Sequence, residues 1–93
     1  MNTKILIVDD EIDIVLMLRS FFESKGYLVL FATNGEEALK QIERQPNIIL
    51  LDINMPGLDG LEVCERIRNY ISCPILFLTA RIEDTDKVRG FAA

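Results

Sequence analysis

The feature that most constrains the fold of this chain is its alternation of short apolar runs with amphipathic segments. Runs such as residues 4–8 (KILIV) and 47–52 (NIILLD) are almost continuously apolar and too short for helices, which is typical of strands buried on both faces. The segments between the runs carry apolar residues at helical spacing. Strands that alternate with helices predict an α/β fold, a parallel sheet with helices on both faces.

The boundaries of the predicted elements are marked by turn and cap residues. Gly26 ends the first predicted helix, and Pro46 ends the second. Asn34, with Glu37 three residues later, forms a variant of the capping box that begins the second helix. Leu61 is the first of the apolar residues at helical spacing in the third. We expect strands at 4–8, 27–32, 47–52 and 74–79, helices at 12–26, 34–45 and 61–70, and a further helix from 83.

Length and composition limit the function classes. The 93 residues suit one domain. A 49% hydrophobic and 27% charged composition is typical of a globular protein. The net charge of −5 argues against contact with nucleic acid or an anionic membrane by this chain. No apolar run is long enough for a membrane span, and no signal peptide is visible, so we expect a cytoplasmic protein.

The cysteines and the aromatic residues of the first half are predicted to serve packing. Cys64 and Cys73, without any histidine in the chain, are too few soft ligands for a tetrahedral metal site. We therefore interpret both thiols as packing residues in a reducing compartment. Phe21, Phe22 and Phe31 are predicted to lie in the core.

Polar residues stand where three of the predicted strands end. Asp9 and Asp10 follow the first strand, Asp52 ends the third, and Thr79 ends the fourth. In parallel α/β sheets the ligand crevice lies beyond the carboxyl ends of the strands. We therefore expect three carboxylates and one hydroxyl to meet at a single edge of the sheet.

The chemistry of such a cluster predicts a bound cation. At ~4 Å and an effective dielectric constant of ~20, each pair of carboxylates repels by about 4 kcal/mol. A small site with oxygen ligands alone favours Mg²⁺, whose usual guest is a phosphoryl oxygen. An aspartate beside Mg²⁺ can attack phosphorus to form an aspartyl phosphate. Gly57 and Gly60 give the loop after Asp52 freedom to bring backbone groups near the site.

These residues and their surroundings resemble the receiver domain of two-component response regulators. The matching stretches are ILIVDDE (5–11), IILLDINMPGLDGLEV (48–63) and PILFLTAR (74–81), and the middle one is the most specific. The resemblance covers the whole chain in the expected order. The run LTARIEDTDKVRGF (78–91) looks most like receivers that carry a winged-helix DNA-binding domain.

The resemblance implies a fold, a function and a set of site residues. The fold would be flavodoxin-like, with strand order 2-1-3-4. Asp52 would be the phosphoacceptor of a sensor histidine kinase, and Asp9, Asp10 and Asp52 would bind Mg²⁺ together with the backbone carbonyl of Asn54. Thr79 would be the switch hydroxyl. Such a protein is a phosphoaccepting switch more than an enzyme, and it controls a C-terminal DNA-binding output domain.

The chain departs from the family pattern after the fourth strand. The family's fifth strand and helix, with a lysine that pairs with the phosphoryl group, are not found in these 93 residues, and Lys87 stands in the wrong place for that role. We therefore expect residues 1–93 to be a receiver domain truncated at its C-terminus, with autophosphorylation and autodephosphorylation only in the complete domain. A fourth strand at the sheet edge leads us to expect a homodimer or an element-swapped oligomer.

Three other classes deserve comparison with this interpretation. A haloacid-dehalogenase-type phosphatase needs a second aspartate two residues after its nucleophile, and Asn54 occupies that position after Asp52. Nucleotide or flavin binding needs a glycine-rich loop after the first strand, where this chain has carboxylates. The third class, a receiver-like interaction or oligomerisation module that is not phosphorylated, stays open.

Overall fold

The computed structural model describes residues 3–53, 55 and 60–78, which build a four-stranded parallel sheet with helices on both faces. The strands lie in the order β2-β1-β3-β4, as predicted. The elements in chain order are β1 (Lys4–Val8), α1 (Ile12–Ser24), β2 (Leu28–Ala32), α2 (Gly35–Gln41), a 3₁₀ turn (Ile42–Arg44), β3 (Ile48–Asp52), α3 (Gly60–Arg68) and β4 (Ile75–Leu78). None of the helices in this part of the chain is long and apolar enough to cross a membrane.

The register of the sheet brings the carboxyl ends of its strands to one edge. Val8 at the end of β1 pairs with Ala32 on β2 and with Leu51 on β3. Asp52 at the end of β3 pairs with Leu78 on β4. Residues that follow β1 and residues that end β3 therefore lie side by side.

The two faces of the sheet carry separate apolar clusters. One cluster lies between the sheet and α2 and α3, and the smaller one lies between the sheet and α1. The buried members of the first are Leu6, Val8, Ala32, Ala38, Ile42, Ile49, Leu51, Met55, Val63, Cys64, Ile67 and Ile75. Those of the second are Ile5, Ile7, Val15 and Leu50. Cys64 is buried and Cys73 is half-buried, both as free thiols, in agreement with a packing role.

The helix predicted over 12–26 begins as predicted and ends slightly earlier, at Ser24, whereas the helix predicted over 34–45 is much too long. Gly26, with φ +94°, follows α1 in the left-handed conformation that ends many helices. The single helix predicted over 34–45 is wrong in its second half, because α2 ends at Gln41 and a 3₁₀ turn follows. Gln45 then adopts a left-handed φ of 58°. Pro46 accounts for the departure from helical geometry at Gln45, since a proline disfavours that geometry in the residue before it.

Two predicted core residues are exposed instead. Phe21 lies on the outer side of α1, and Phe31 lies on the edge strand β2. Phe31 lies under the Arg19 guanidinium, 5.9 Å from its ring centre. Phe22 packs against the α1-side cluster, as predicted. None of the described elements covers this edge strand or this outer helix face, which a one-dimensional apolar pattern does not reveal.

Candidate functional site

Three of the predicted site residues converge at the carboxyl edge of the sheet. One carboxylate oxygen each from Asp9, Asp10 and Asp52 lies within 4.8 Å of the others. The side chains of Asp9 and Asp52 are almost fully buried, with 2% and 4% exposure, whereas Asp10 is exposed. The cluster therefore has two buried acids and one acid that faces solvent.

The position of Asp9 is fixed by its backbone and by its side chain. Its amide donates to the Ala32 carbonyl oxygen at 3.1 Å, which continues the β1–β2 ladder by one residue. Its carboxylate accepts a hydrogen bond from the Glu11 amide at 2.9 Å. This local turn is one that aspartate commonly forms with the backbone two residues later. It orients the Asp9 carboxylate before any ligand arrives.

Asp52 is held by the interior strand that it ends. β3 pairs with β1 on one side and β4 on the other. The next residue, Ile53, donates its amide to Leu78 at 3.5 Å and accepts the amide of Gly60 at 2.9 Å. Met55 is buried in the cluster under α2 and α3. The chain is therefore anchored on both sides of Asp52.

The electrostatics of the cluster disfavour a charged Asp9 in the absence of a cation. Burial raises the pKa of Asp9 above its ordinary value, and the neighbouring charge of Asp10 raises it further. The Glu11 amide and a hydrogen bond with the Asp52 side chain act in the opposite direction. Two carboxyl groups share a hydrogen bond only when a proton lies between them, and a cation bound there would replace that proton.

The donor set fits Mg²⁺. All three side chains offer oxygen, the ligand that hard cations prefer. Ligands of one octahedral Mg²⁺, each ~2.1 Å from the ion, lie about 3 Å apart when they are neighbours and about 4 Å apart when they are opposite. The three oxygens, which lie within 4.8 Å of one another, need only small shifts to reach such distances. Asp9, Asp10 and Asp52 would hold the ion, and the exposure of Asp10 leaves the site open to water and to a phosphoryl oxygen.

Other residues predicted for the site lie outside the described part of the chain. Asn54, Gly57, Thr79 and Lys87 belong to this group. Gly60 is described, and its role differs from the loop freedom that the sequence suggested. It packs closely against the backbone of Asp52. The only sequence signal for this contact is a glycine at the start of a helix that follows the acid-bearing strand.

A groove lies at the opposite end of the described sheet. It lies between α2 and α3 and the segments that follow them, and its lining includes Leu39, Pro46, Tyr70 and Pro74. Pro46 and Pro74 precede β3 and β4, so the groove borders the amino ends of these strands. The three acids that could hold a metal ion, Asp9, Asp10 and Asp52, lie at the other edge of the sheet. The groove therefore lies apart from the acid cluster.

Comparison with known proteins identifies relatives along the whole chain. The profile of the family described as "Response regulator receiver domain" matches residues 5–93. The alkaline phosphatase synthesis transcriptional regulatory protein PhoP of Bacillus subtilis is 51% identical over 92 residues, which are 97% of this chain and 38% of PhoP. The transcriptional regulatory protein ResD of the same organism is 48% identical over 93 residues, 99% of this chain and 39% of ResD. The chain thus spans about two-fifths of the length of these relatives.

Solved structures agree with the fold. The response regulator protein TrrA of Thermotoga maritima, in complex with Mg²⁺ and BeF, is 41% identical with a TM-score of 0.79, and the match covers 87% of this chain and 72% of TrrA. A complex of histidine kinase ThkA with TrrA matches with 42% identity and a TM-score of 0.77, covering 84% of this chain and 69% of that one.

Proposed function

This chain belongs to the family of response regulator receiver domains, and on that premise we propose that Asp52 accepts a phosphoryl group from the phosphohistidine of a sensor histidine kinase. One observation carries the proposal, the convergence of Asp9, Asp10 and Asp52 within 4.8 Å at the carboxyl edge of the sheet. Such a cluster suits Mg²⁺, and Mg²⁺ with few protein ligands is commonly completed by phosphate oxygens.

The proposed reaction is a transfer from nitrogen to oxygen. A carboxylate oxygen of Asp52 attacks phosphorus, and an O–P bond forms while the P–N bond to the kinase histidine breaks. The imidazole nitrogen keeps the electron pair and takes up a proton, and Asp52 becomes an acyl phosphate. Mg²⁺ at this site would supply positive charge to the transferring group. Asp9, held by the Glu11 amide, and Asp10 would hold the ion.

Two further roles are assigned from family membership and sequence position. The backbone carbonyl of Asn54, two residues after Asp52, completes the metal site. The hydroxyl of Thr79, one residue after β4, bonds the phosphoryl group and shifts the surface around β4 as a two-state switch. Both residues lie outside the described part of the chain.

The proposed partners follow those named for the relatives. TrrA was solved in complex with a histidine kinase, and PhoP and ResD are named transcriptional regulatory proteins. We propose that residues 1–93 act as the receiver for a cytoplasmic sensor kinase domain. They would control a DNA-binding output domain of the winged-helix class.

We also propose that the 93-residue chain associates with itself, as a homodimer or by exchange of elements. Met17 and Phe21 are exposed on α1, and Leu76 is exposed on β4, the last strand of the described sheet. An edge strand with apolar side chains is a template for pairing with another chain. Light scattering after size exclusion at micromolar concentration should give a mass above 10.6 kDa. A folded monomer of that mass would contradict self-association.

Phosphorylation by acetyl phosphate tests the central role of Asp52. The protein, expressed from its complete reading frame, is incubated with acetyl phosphate and Mg²⁺, and its intact mass is measured. We expect one added phosphoryl group in the wild type and none in Asp52→Asn. Glu37→Gln, which changes an exposed carboxylate on α2, should be modified like the wild type.

The possible outcomes separate the candidate functions. Modification of Asp52→Asn to the wild-type extent would remove the acceptor role from this residue. A wild type that stays unmodified in the presence of Mg²⁺ would favour the interaction module that is not phosphorylated.

A further inference from the structure

Gly60, the first residue of α3, packs directly against the peptide group that joins Asp52 to Ile53. A β-carbon built on Gly60 would meet the carbonyl oxygen of Asp52, and it would lie 2.9 Å from the carbonyl carbon of Asp52 and 2.5 Å from the α-carbon of Ile53. Non-bonded carbon atoms normally approach to about 3.5–4.0 Å. Any side chain at this position therefore requires the helix start and the strand end to separate by about 1 Å.

Neither side of this contact can move easily. Asp52 ends an interior strand and is paired with Leu78 on β4. On the other side, α3 is anchored by Val63 and Ile67, both fully buried in the core. The Gly60 amide also donates to the Ile53 carbonyl oxygen at 2.9 Å, a second contact between the start of α3 and the end of β3. Strain from a side chain would therefore fall on the peptide between Asp52 and Ile53.

This peptide is bonded to the α-carbon that carries the Asp52 carboxylate. Metal sites depend on ligand distances within about 0.2 Å, and functional groups must be held within about 0.5 Å of their productive geometry. We infer that Gly60 is a positioning residue, whose missing side chain sets the place of the Asp52 carboxylate relative to Asp9 and Asp10. The inference rests on the proposed function, since it concerns the same magnesium and phosphoryl site.

Calorimetric titration with Mg²⁺ of the full-length protein tests this role without measuring phosphorylation. Gly60→Ala should weaken Mg²⁺ binding by about 10- to 100-fold, the range seen when residues that orient metal ligands are changed. Gly26→Ala is the matched control. Its φ of +94° makes alanine unfavourable, but nothing lies within 4 Å of the added β-carbon. It should lose stability and keep the wild-type Mg²⁺ affinity, whereas equal affinities of Gly60→Ala and the wild type would overturn the inference.

A measurement on the wild type decides the matter if Gly60→Ala does not fold. Coupling between the Gly60 contact and the metal site acts in both directions. During Mg²⁺ titration followed by amide NMR, the resonances of Gly60 and Ile53 should shift in step with binding, while that of Gly26 stays in place. A Gly60 resonance that does not respond would overturn the inference.

The same titration separates this inference from the proposed function. A wild type that binds no Mg²⁺ would overturn both. A wild type that binds Mg²⁺ and loses binding in Asp10→Asn, with Gly60→Ala unaffected, would overturn only the role of Gly60.

Discussion

Two turns at the same edge of the sheet connect a strand to a helix, and they use their polar side chains differently. In the turn from β2 to α2, Asn34 accepts the Glu37 amide at 2.8 Å, and the Glu37 carboxylate accepts both the amide and the hydroxyl of Thr33 at 2.9 and 3.0 Å. In the turn from β1 to α1, Glu11 is the N-cap residue and makes no side-chain cap bond. The first acid there, Asp9, accepts the Glu11 amide at 2.9 Å, and one of its oxygens lies within 4.8 Å of oxygens of Asp10 and Asp52.

The pKa values of the two turns move in opposite directions. The amide and hydroxyl of Thr33 lower the pKa of Glu37 below its ordinary value. Burial and the charge of Asp10 raise the pKa of Asp9 above its own. The β2–α2 turn therefore satisfies its carboxylate within the chain, whereas the β1–α1 turn places Asp9 beside two further carboxylates, whose combined charge a bound cation would offset. A cluster of carboxylates without enough local hydrogen-bond donors therefore distinguishes the candidate functional turn from the structural one.

Breaking the cap of α2 should cause the largest change in stability. Asn34→Ala removes the acceptor for the Glu37 amide and should lower the free energy of unfolding by about 1 kcal/mol, measured by urea denaturation. Asn69→Ala, an exposed asparagine after α3, is the matched control and should change stability little. Mg²⁺ affinity should stay at the wild-type value in both variants. An Asn34→Ala variant with the same free energy of unfolding as the wild type would show that the cap contributes nothing to stability.

Removing the charge of Asp9 should have a smaller effect of the opposite sign. Asn at position 9 keeps an oxygen that can accept the Glu11 amide but carries no charge beside Asp10 and Asp52. In EDTA, Asp9→Asn should therefore unfold at a higher urea concentration than the wild type. With saturating Mg²⁺ the order should reverse, because the wild type gains more from the bound ion. A lower midpoint for Asp9→Asn in EDTA would contradict the repulsion.

Asp9 and Glu37 should contribute with opposite sign to the pH dependence of the free energy of unfolding. We expect these contributions to be the smallest of the three effects. The raised pKa of Asp9 contributes stability below its ordinary value of 3.8 that is lost as pH rises through the raised value. The lowered pKa of Glu37 contributes stability above its ordinary value of 4.5 that is lost as pH falls through the lowered value. The urea midpoint is measured in EDTA at a series of pH values across this range. Its change with pH should become smaller above pH 3.8 in Asp9→Asn and smaller below pH 4.5 in Glu37→Gln. Unchanged profiles would contradict both assignments.

The sequence predicted what depends on order and local pattern. Apolar runs that end in Asp9 and Asp52 are sufficient for a parallel sheet with both acids at one edge, because parallel strands share the direction of their ends. The spacing of Asn34 and Glu37 was sufficient for the cap. In each case the residues that determine the feature are close in sequence or lie at the same end of a strand.

The errors concern contacts between distant elements. Phe31 and Phe21 have the apolar character of core residues but lie on surfaces that no described element covers. The contact of Gly60 with Asp52 depends on how α3 starts against β3. Sequence spacing cannot predict such an approach of two backbones, since it is set by the packing of Val63 and Ile67 in the core.

The most direct test of the contrast between the two turns is Mg²⁺ binding by three proteins, the wild type, Asp10→Asn and Glu37→Gln, measured by isothermal titration calorimetry. Each variant loses one exposed carboxylate at the same edge of the sheet. We expect saturable binding by the wild type, the same affinity in Glu37→Gln, and affinity weakened by about 10-fold or more in Asp10→Asn. Equal binding by the wild type and Asp10→Asn would contradict a magnesium site in the β1–α1 turn.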